Sequence, residues 1–289
     1  MNEITVRAHA KLNISLDVLD TRPDGYHEMK MVMQSIEMGD DVTVRVTDGG
    51  KFRALSNLGF LPSDERNIAV KAAKLFYSRA GIEDKGADIA LKKVTPVCAG
   101  MGGGSADGAA VLRALNELFD RPFSPEELEK ISYDVGSDVA FCVRGGTSLA
   151  TGRGEILTEL PAFPECSIVV CKPSFSISTP ELFKQIDSRK KRIHPDTDGI
   201  IASLKKGSLR SICVRMYNVF EEVLPRRFGE IAEIKGALTD LGAIGAMMTG
   251  TGSAVFGIFD DAEKAAAAHA QLSGRYRECY LTRPVGRYY

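Results

Sequence analysis

The 289-residue sequence has no tryptophan, only four histidines, and no C-x-x-C pair among its six cysteines. A zinc ribbon or redox dithiol is therefore not expected. The cysteines at 98, 142, 166, 171, 213 and 279 sit mostly in apolar runs such as CSIVVCK, where reduced, buried thiols are the ordinary state. No window approaches 18 consecutive apolar residues, and MNEITVRAHAKLN has neither a signal-peptide nor a transit-peptide profile, so a soluble cytoplasmic protein without membrane partners is expected. Charge of one sign is also lacking. With 37 basic and 38 acidic residues the net charge is -1, which gives no global field to gather nucleic acid, so an anionic ligand has to be held by a local pocket. There is no internal repeat and no low-complexity tract.

What is present is a mixed α and β pattern. ITVRAHAKLNISLDVL and DVTVRVT alternate apolar and polar residues as half-buried strands do, whereas NIAVKAAKLFYSRA takes helical spacing and stops at Gly81. ADIALKK reads as a strand. SPEELEKIS opens with capping-box spacing between Ser124 and Glu127, and Pro125 stands at the first helical position. Short strands are expected at VAFCV and GTSLAT, then a strand at SIVVCK and a helix within SISTPELFKQID. Residues 189–207 form a poorly periodic basic stretch, with helices expected near 211–223 and 229–241. AIGAMMTGTGSAVFGIF reads as two strands around a glycine turn, followed by a helix at DAEKAAAAHAQL and a strand at RECYLTR. The length suits two domains, and Pro161 and Pro164 mark the boundary, giving 1–160 and 161–289.

The densest punctuation is PVCAGMGGGSADGAAVLRALNELF, which runs from glycines into a helix beginning near Gly104 or Ser105. In that helix Val111, Ala114, Leu115, Leu118 and Phe119 share one face, and Arg113, Asn116, Glu117 and Asp120 the other. Bare backbone at a helix N-terminus lets N–H groups and the helix dipole approach a phosphate. A plain glycine turn accounts for the same residues. Counting excludes a Walker loop, because no Gly-Lys-Ser/Thr occurs, and a Rossmann fingerprint, because Ser105 stands where the third glycine belongs. Lys11 and Asn13 interrupt an apolar strand, as a pocket wall or a surface face would. Asp138 follows a glycine turn in VGSDVAFCVRGG, where it is a buried carboxylate needing a partner or a simple turn residue. Gly250 and Gly252 form either a plain hairpin turn or a second backbone contact to the ligand.

The order A-K-L-N, P-D-G-Y-H, P-x-x-A-G-x-G-G-G-S-x-D, G-S-D-V and T-G-T-G-S resembles the GHMP kinase superfamily along nearly the whole chain. RPDGYHEM together with KLNISLDVL is most similar to the branch acting on 4-diphosphocytidyl-2-C-methyl-D-erythritol. The resemblance implies an α+β, two-domain fold, with an N-terminal ribosomal-protein-S5-like domain, a C-terminal ferredoxin-like domain, and the active site in the cleft between them. It implies transfer of the γ-phosphoryl of ATP, with Mg²⁺, to the C2 hydroxyl of that small-molecule substrate, in the non-mevalonate route to isoprenoid precursors. Lys11 and Asp138 match the catalytic pair, with Asp138 accepting the hydroxyl proton. Gly100, Gly102, Gly103, Gly104 and Ser105 match the ATP loop, and Asn67 lies where the family contacts adenine. Asn13 matches the hydroxyl end of the acceptor site, while Tyr26, His27 and Phe183 match its cytosine end, with Tyr26 and Phe183 as the two faces of a sandwich. No protein metal centre is implied, and Asp107 is either a water-mediated magnesium contact or a charge complementing the helix dipole. A monomer or weak homodimer is expected. Two departures stand out: Ala106 replaces a second loop serine, and Ala140 replaces a proline after the G-S-D-V aspartate. The alternatives are another GHMP kinase of homoserine or mevalonate type, and a catalytically silent nucleotide-binding protein on the same fold.

Overall fold

The computed structural model describes residues 2–189 and 192–289. Two long strands, β1 (Glu3–Thr21) and β2 (His27–Asp48), pair antiparallel and form the spine of a 7-stranded sheet. One edge of β2 is shared by two partners. Its later half, from Asp41, pairs with β4 (Lys85–Lys92), which is flanked by β3 (Phe52–Ser56). Its earlier half, Met29–Gln34, pairs with β5 (Thr147–Gly152), which continues to β6 (Ile156–Glu159).

Four helices cover this sheet: α1 (Ile68–Ala80), α2 (Gly103–Leu118), α3 (Pro125–Ser132) and α4 (Ser137–Arg144). Helix α2 lies centrally, touching α1, α4 and β1. Its Ala109, Ala110, Val111, Leu112, Ala114 and Leu115 are fully buried, a broader face than the expected stripe, of which Leu118 and Phe119 are only half-buried. The expected caps are present. Gly81 ends α1 in the left-handed region, and Ser124 with Glu127 closes a capping box on α3.

The second sheet has four strands in the order β11-β7-β10-β9, all antiparallel: β7 (Ser167–Lys172), β9 (Gly245–Met248), β10 (Val255–Phe259) and β11 (Glu278–Thr282). Between β7 and β9 run α5 (Thr179–Asp187), α6 (Thr197–Lys205), α7 (Leu209–Cys213), β8 (Tyr217–Asn218) and α8 (Glu230–Asp240). Helix α9 (Ala262–Ser273) connects β10 to β11. This is the βαββαβ arrangement of ferredoxin-like units, with insertions in its first crossover. Strand β8 leaves it to pair in parallel with β1 of the first sheet.

Several local readings are corrected. VAFCV lies inside α4 and not in a strand; its residues, from Val139 to Val143, are all buried, and a short apolar run has no period to tell a buried helix from a strand. Residues 189–207 contain α6, capped by the Asp196 side chain, while Lys190 and Lys191 of that stretch lie outside the described residues. The helix expected over 211–223 is instead α7, β8 and a 3-10 turn at Val219–Val223. Helix α2 starts at Gly103, one residue before the expected start. Asn116 on its polar face is buried because its side chain pairs with both backbone groups of Phe123.

Candidate active site

Along β1 the apolar side chains are broken by Lys11 and Asn13, which are 4 % and 0 % exposed. Their separation of two residues puts them on one face. Lys11 Nζ donates to Asn13 Oδ1 at 2.7 Å and lies 3.6 Å from Asp138 Oδ2. Asp138 sits in the first turn of α4, where an acidic side chain is favoured by the helix dipole, and its side chain remains 34 % exposed. A buried cation thus meets a carboxylate that opens onto solvent.

Gly100 and Gly102 have φ of 76° and 69°, the left-handed region that glycine enters without cost. Both are also short of space. A Cβ on Gly100 would lie 2.1 Å from the Thr249 carbonyl oxygen, and one on Gly102 would lie 3.0 Å from Lys11 Cγ. The loop is tied on two sides, by Lys11 N–H to Met101 O at 3.0 Å and by Ala254 N–H to Ala99 O at 3.1 Å. Asn13 N–H donates to Thr249 Oγ1, so the T-G-T-G-S turn, the glycine loop and β1 form one assembly. Gly102 caps α2 with no side chain, which leaves first-turn N–H groups facing outward.

Two cavities, each of about 530 Å³, meet at this loop and share Gly100, Gly102 and Thr179. One is lined by Asn67, Lys93, Gly103, Gly104, Ser105 and Asp107. The other is lined by Lys11, Asn13, Asp138, Tyr26, His27 and Phe183. Every site residue named from the sequence borders one or the other.

The aromatic end differs from expectation. Phe183 stacks on His27 with ring centroids 4.5 Å apart, not on a face shared with Tyr26, and His27 Nε2 lies 2.8 Å from Asp187 Oδ1. Tyr26, 53 % exposed, carries the Arg153 guanidinium 3.6 Å above its ring. A planar base therefore cannot lie on that face of Tyr26 until Arg153 moves. Asn67 is also more occupied than expected: its Oδ1 caps α1 at Ala69 N–H and its amide donates to Pro62 O.

Sequence reasoning missed three groups. Arg153 lies in the TGRGE hairpin between β5 and β6; its Nε is buried without a hydrogen-bond partner, and among the described residues it makes no salt bridge. The flanking glycines signalled only a turn. Lys93 donates to Asp40 at 2.5 Å and Asp107 at 2.6 Å, all three buried beneath the donor-side cavity. Burial, with repulsion from Asp40 and despite Lys93, pushes the Asp107 carboxyl up to about 7. Asp107 is thus held by an internal cation, which neither expectation for it foresaw. Asn218, on β8, donates to Met248 O and Gly250 O and braces the second turn.

Residues 67–146 match the GHMP kinases N terminal domain and residues 200–278 the GHMP kinases C terminal model. A 4-diphosphocytidyl-2-C-methyl-D-erythritol kinase from Clostridium botulinum is 40% identical over 279 residues, covering 96% of this chain and 99% of its own. The crystal structure of a 4-(cytidine 5'-diphospho)-2C-methyl-D-erythritol kinase superposes with a TM-score of 0.80 at 29% identity, covering 98% of this chain and 100% of that one. A homoserine kinase from Cytophaga hutchinsonii, at 20% identity and a TM-score of 0.79 over 99% of this chain and 96% of its own, shares the fold. Two matched domains, a relative covering almost the full length, and a glycine loop set between two cavities agree: the chain belongs to the GHMP kinase family.

Proposed function

We infer that the protein transfers the γ-phosphoryl of ATP to the C2 hydroxyl of 4-diphosphocytidyl-2-C-methyl-D-erythritol, a step in the supply of isoprenoid precursors. The observation that carries this reading is the meeting of two cavities at Gly100 and Gly102, with Lys11 and Asp138 on the wall of the second. A donor and an acceptor bound in them would present their reacting groups to each other across the loop. Its support comes equally from the named function of the relative at 40% identity.

Phosphoryl transfer asks the protein mainly to position groups and stabilise charge. The outward N–H groups of Gly103, Gly104 and Ser105 would receive the triphosphate at the start of α2. Asp138 would take the acceptor's hydroxyl proton, and Lys11, held by Asn13, would orient that carboxylate and offset charge on the transferred group. Magnesium would neutralise phosphate charge; Ser105, and Asp107 with its buried, unpartnered Oδ1, border the cavity where it would sit. Tyr26, His27 and Phe183 would hold the cytosine, with Asn67 beside the adenine. Both cavities are lined by one chain, so a monomer or weak homodimer suffices. The working units are 1–160 and 161–289. Among the described residues no helix is long and apolar enough to cross a membrane, in keeping with a cytoplasmic enzyme.

Coupled ADP release measured side by side with the cytidylyl acceptor, homoserine, mevalonate and galactose tests this. Turnover confined to the cytidylyl acceptor is expected. Preference for any other acceptor overturns the substrate assignment, and no turnover with any of the four favours a silent binding protein.

A further inference from the structure

The elements that carry Lys11, the glycine loop and Asp138 converge a second time, away from the cavities, on Tyr288. His9 of β1 stacks on the Tyr288 ring at 5.2 Å, and the Arg113 guanidinium of α2 sits 4.4 Å from its centroid. Gly145, which ends α4, faces the same ring so closely that a Cβ there would lie 2.6 Å from Tyr288 Cζ. Arg113 makes no salt bridge among the described residues and its Nε is buried without a partner. Burial holds its guanidinium below the usual range, so the aromatic face and one bond to Arg7 O are its main compensation.

Tyr288 is delivered by the segment following β11, which leaves the second sheet and crosses to the first. Val285 N–H donates to Ser35 O, Gln34 donates to Val285 O, Arg287 bridges Gly145, and Tyr288 N–H reaches Arg144 O at 3.2 Å. Helix α4 has eight residues, so it is about 12 Å long. A tilt of about 5° at its Gly145 end moves Asp138 by about 1 Å, and displacements of that size cost on the order of 10²-fold in rate.

We propose that Tyr288 is a positioning residue for phosphoryl transfer: its ring locks β1, α2 and α4 at one point and so sets where Asp138 stands relative to Lys11 and the loop. The proposal rests on the assignment of Asp138 as base. Its chemistry is packing and cation–π contact through the ring face; among the described residues the buried hydroxyl has no partner in hydrogen-bond geometry, and Ser35 is the polar side chain nearest to serving as one.

The test compares Tyr288→Phe, Tyr288→Leu and Tyr288→Ala in the full chain, each with and without Asp138→Asn. Tyr288→Phe should retain turnover within about twofold, because the ring is kept. Tyr288→Ala should lower kcat by about tenfold or more, with KM for both substrates within about threefold. If it fails to fold, Tyr288→Leu, which keeps bulk without the aromatic face, should show the same split. In the Asp138→Asn background the second substitution should cost little more, since both act on one group. A folded Tyr288→Ala or Tyr288→Leu protein with near-normal kcat overturns the proposal. So does an equal loss in both backgrounds that follows the folded fraction in thermal melts. Near-normal turnover of Asp138→Asn alone instead removes the base assignment, and the proposal with it.

Discussion

Lys11 reaches from β1, where it pairs with Ser35 of β2, to within 3.6 Å of the Asp138 carboxylate, while its ammonium is fixed at 2.7 Å by Asn13. The cation is therefore placed before any ligand arrives, and the carboxylate keeps its solvent-facing side free for a hydroxyl. Asp138→Asn preserves shape and removes the proton acceptor. We expect kcat to fall by about 10² or more with KM within a few fold, measured by coupled ADP release. Near-normal turnover would assign Asp138 to the turn alone.

Much of this arrangement was legible in the residues, and what escaped did so for identifiable reasons. Lys11 and Asn13 were visible as polar residues two apart in an apolar strand, which suits a surface face as well as a pocket wall, and the glycines as a run into a helix, which suits a plain turn as well as a phosphate loop; the order of the motifs along the chain decided both. Asp138 was visible as a residue but not as part of a helix, since VAFCV is buried on all sides and carries no period. The Lys93, Asp40 and Asp107 cluster was illegible because its members lie 53 and 14 residues apart and meet only through the packing of α2 against β2, beside the end of β4. Arg153 looked like any hairpin arginine until the fold laid it over Tyr26.

That placement yields the second prediction. Arg153 covers the ring that a base would occupy, and its next residue, Gly154, lies against Asp138, where a Cβ would be 3.8 Å from Oδ1. The guanidinium thus lines the acceptor cavity at its Tyr26 end, and a substrate diphosphate is the anionic group it would meet there. Tyr26→Ala should weaken acceptor binding by about 1 to 3 kcal/mol with ATP affinity little changed. Arg153→Gln should raise the acceptor KM more than it lowers kcat. If calorimetry instead finds tighter acceptor binding in Arg153→Gln, the arginine is an obstacle on Tyr26 and not a ligand for phosphate.

The third prediction separates backbone from side chain in the glycine loop. Gly103 and Gly104 are helical, so the conformational demand falls on Gly100 and Gly102, and it is at Gly102 that a Cβ would press on Lys11 Cγ. Gly102→Ala should lower the melting temperature, because a left-handed alanine costs about 1 to 2 kcal/mol, and should also lower kcat by displacing Lys11. Ser105→Ala keeps the backbone donors and should weaken ATP by about 1.5 kcal/mol, the scale of one hydrogen bond to a charged group. Wild-type kcat in a folded Gly102→Ala protein would show that Lys11 yields freely to the added methyl.

The buried cluster under the loop gives a prediction about stability. Asp107 titrates near 7 in the folded chain because burial penalises its charge more than Lys93 relieves it, whereas an unfolded aspartate titrates near about 3.9. Between those values the folded state holds a proton that the unfolded state has released. The Asp107 contribution to the unfolding free energy must then fall as pH rises from about 4 to about 7, by up to about 1.4 kcal/mol per unit, and level off above. Asp107→Asn removes the titrating group while leaving Lys93 paired with Asp40. Subtracting the variant's stability from that of the wild type, by urea unfolding at several pH values, should give a difference that declines across this window. A flat difference from pH 4 to 7 would mean that the Lys93 ammonium keeps Asp107 ionised throughout, and that the cluster is an ion triplet at every pH the enzyme meets.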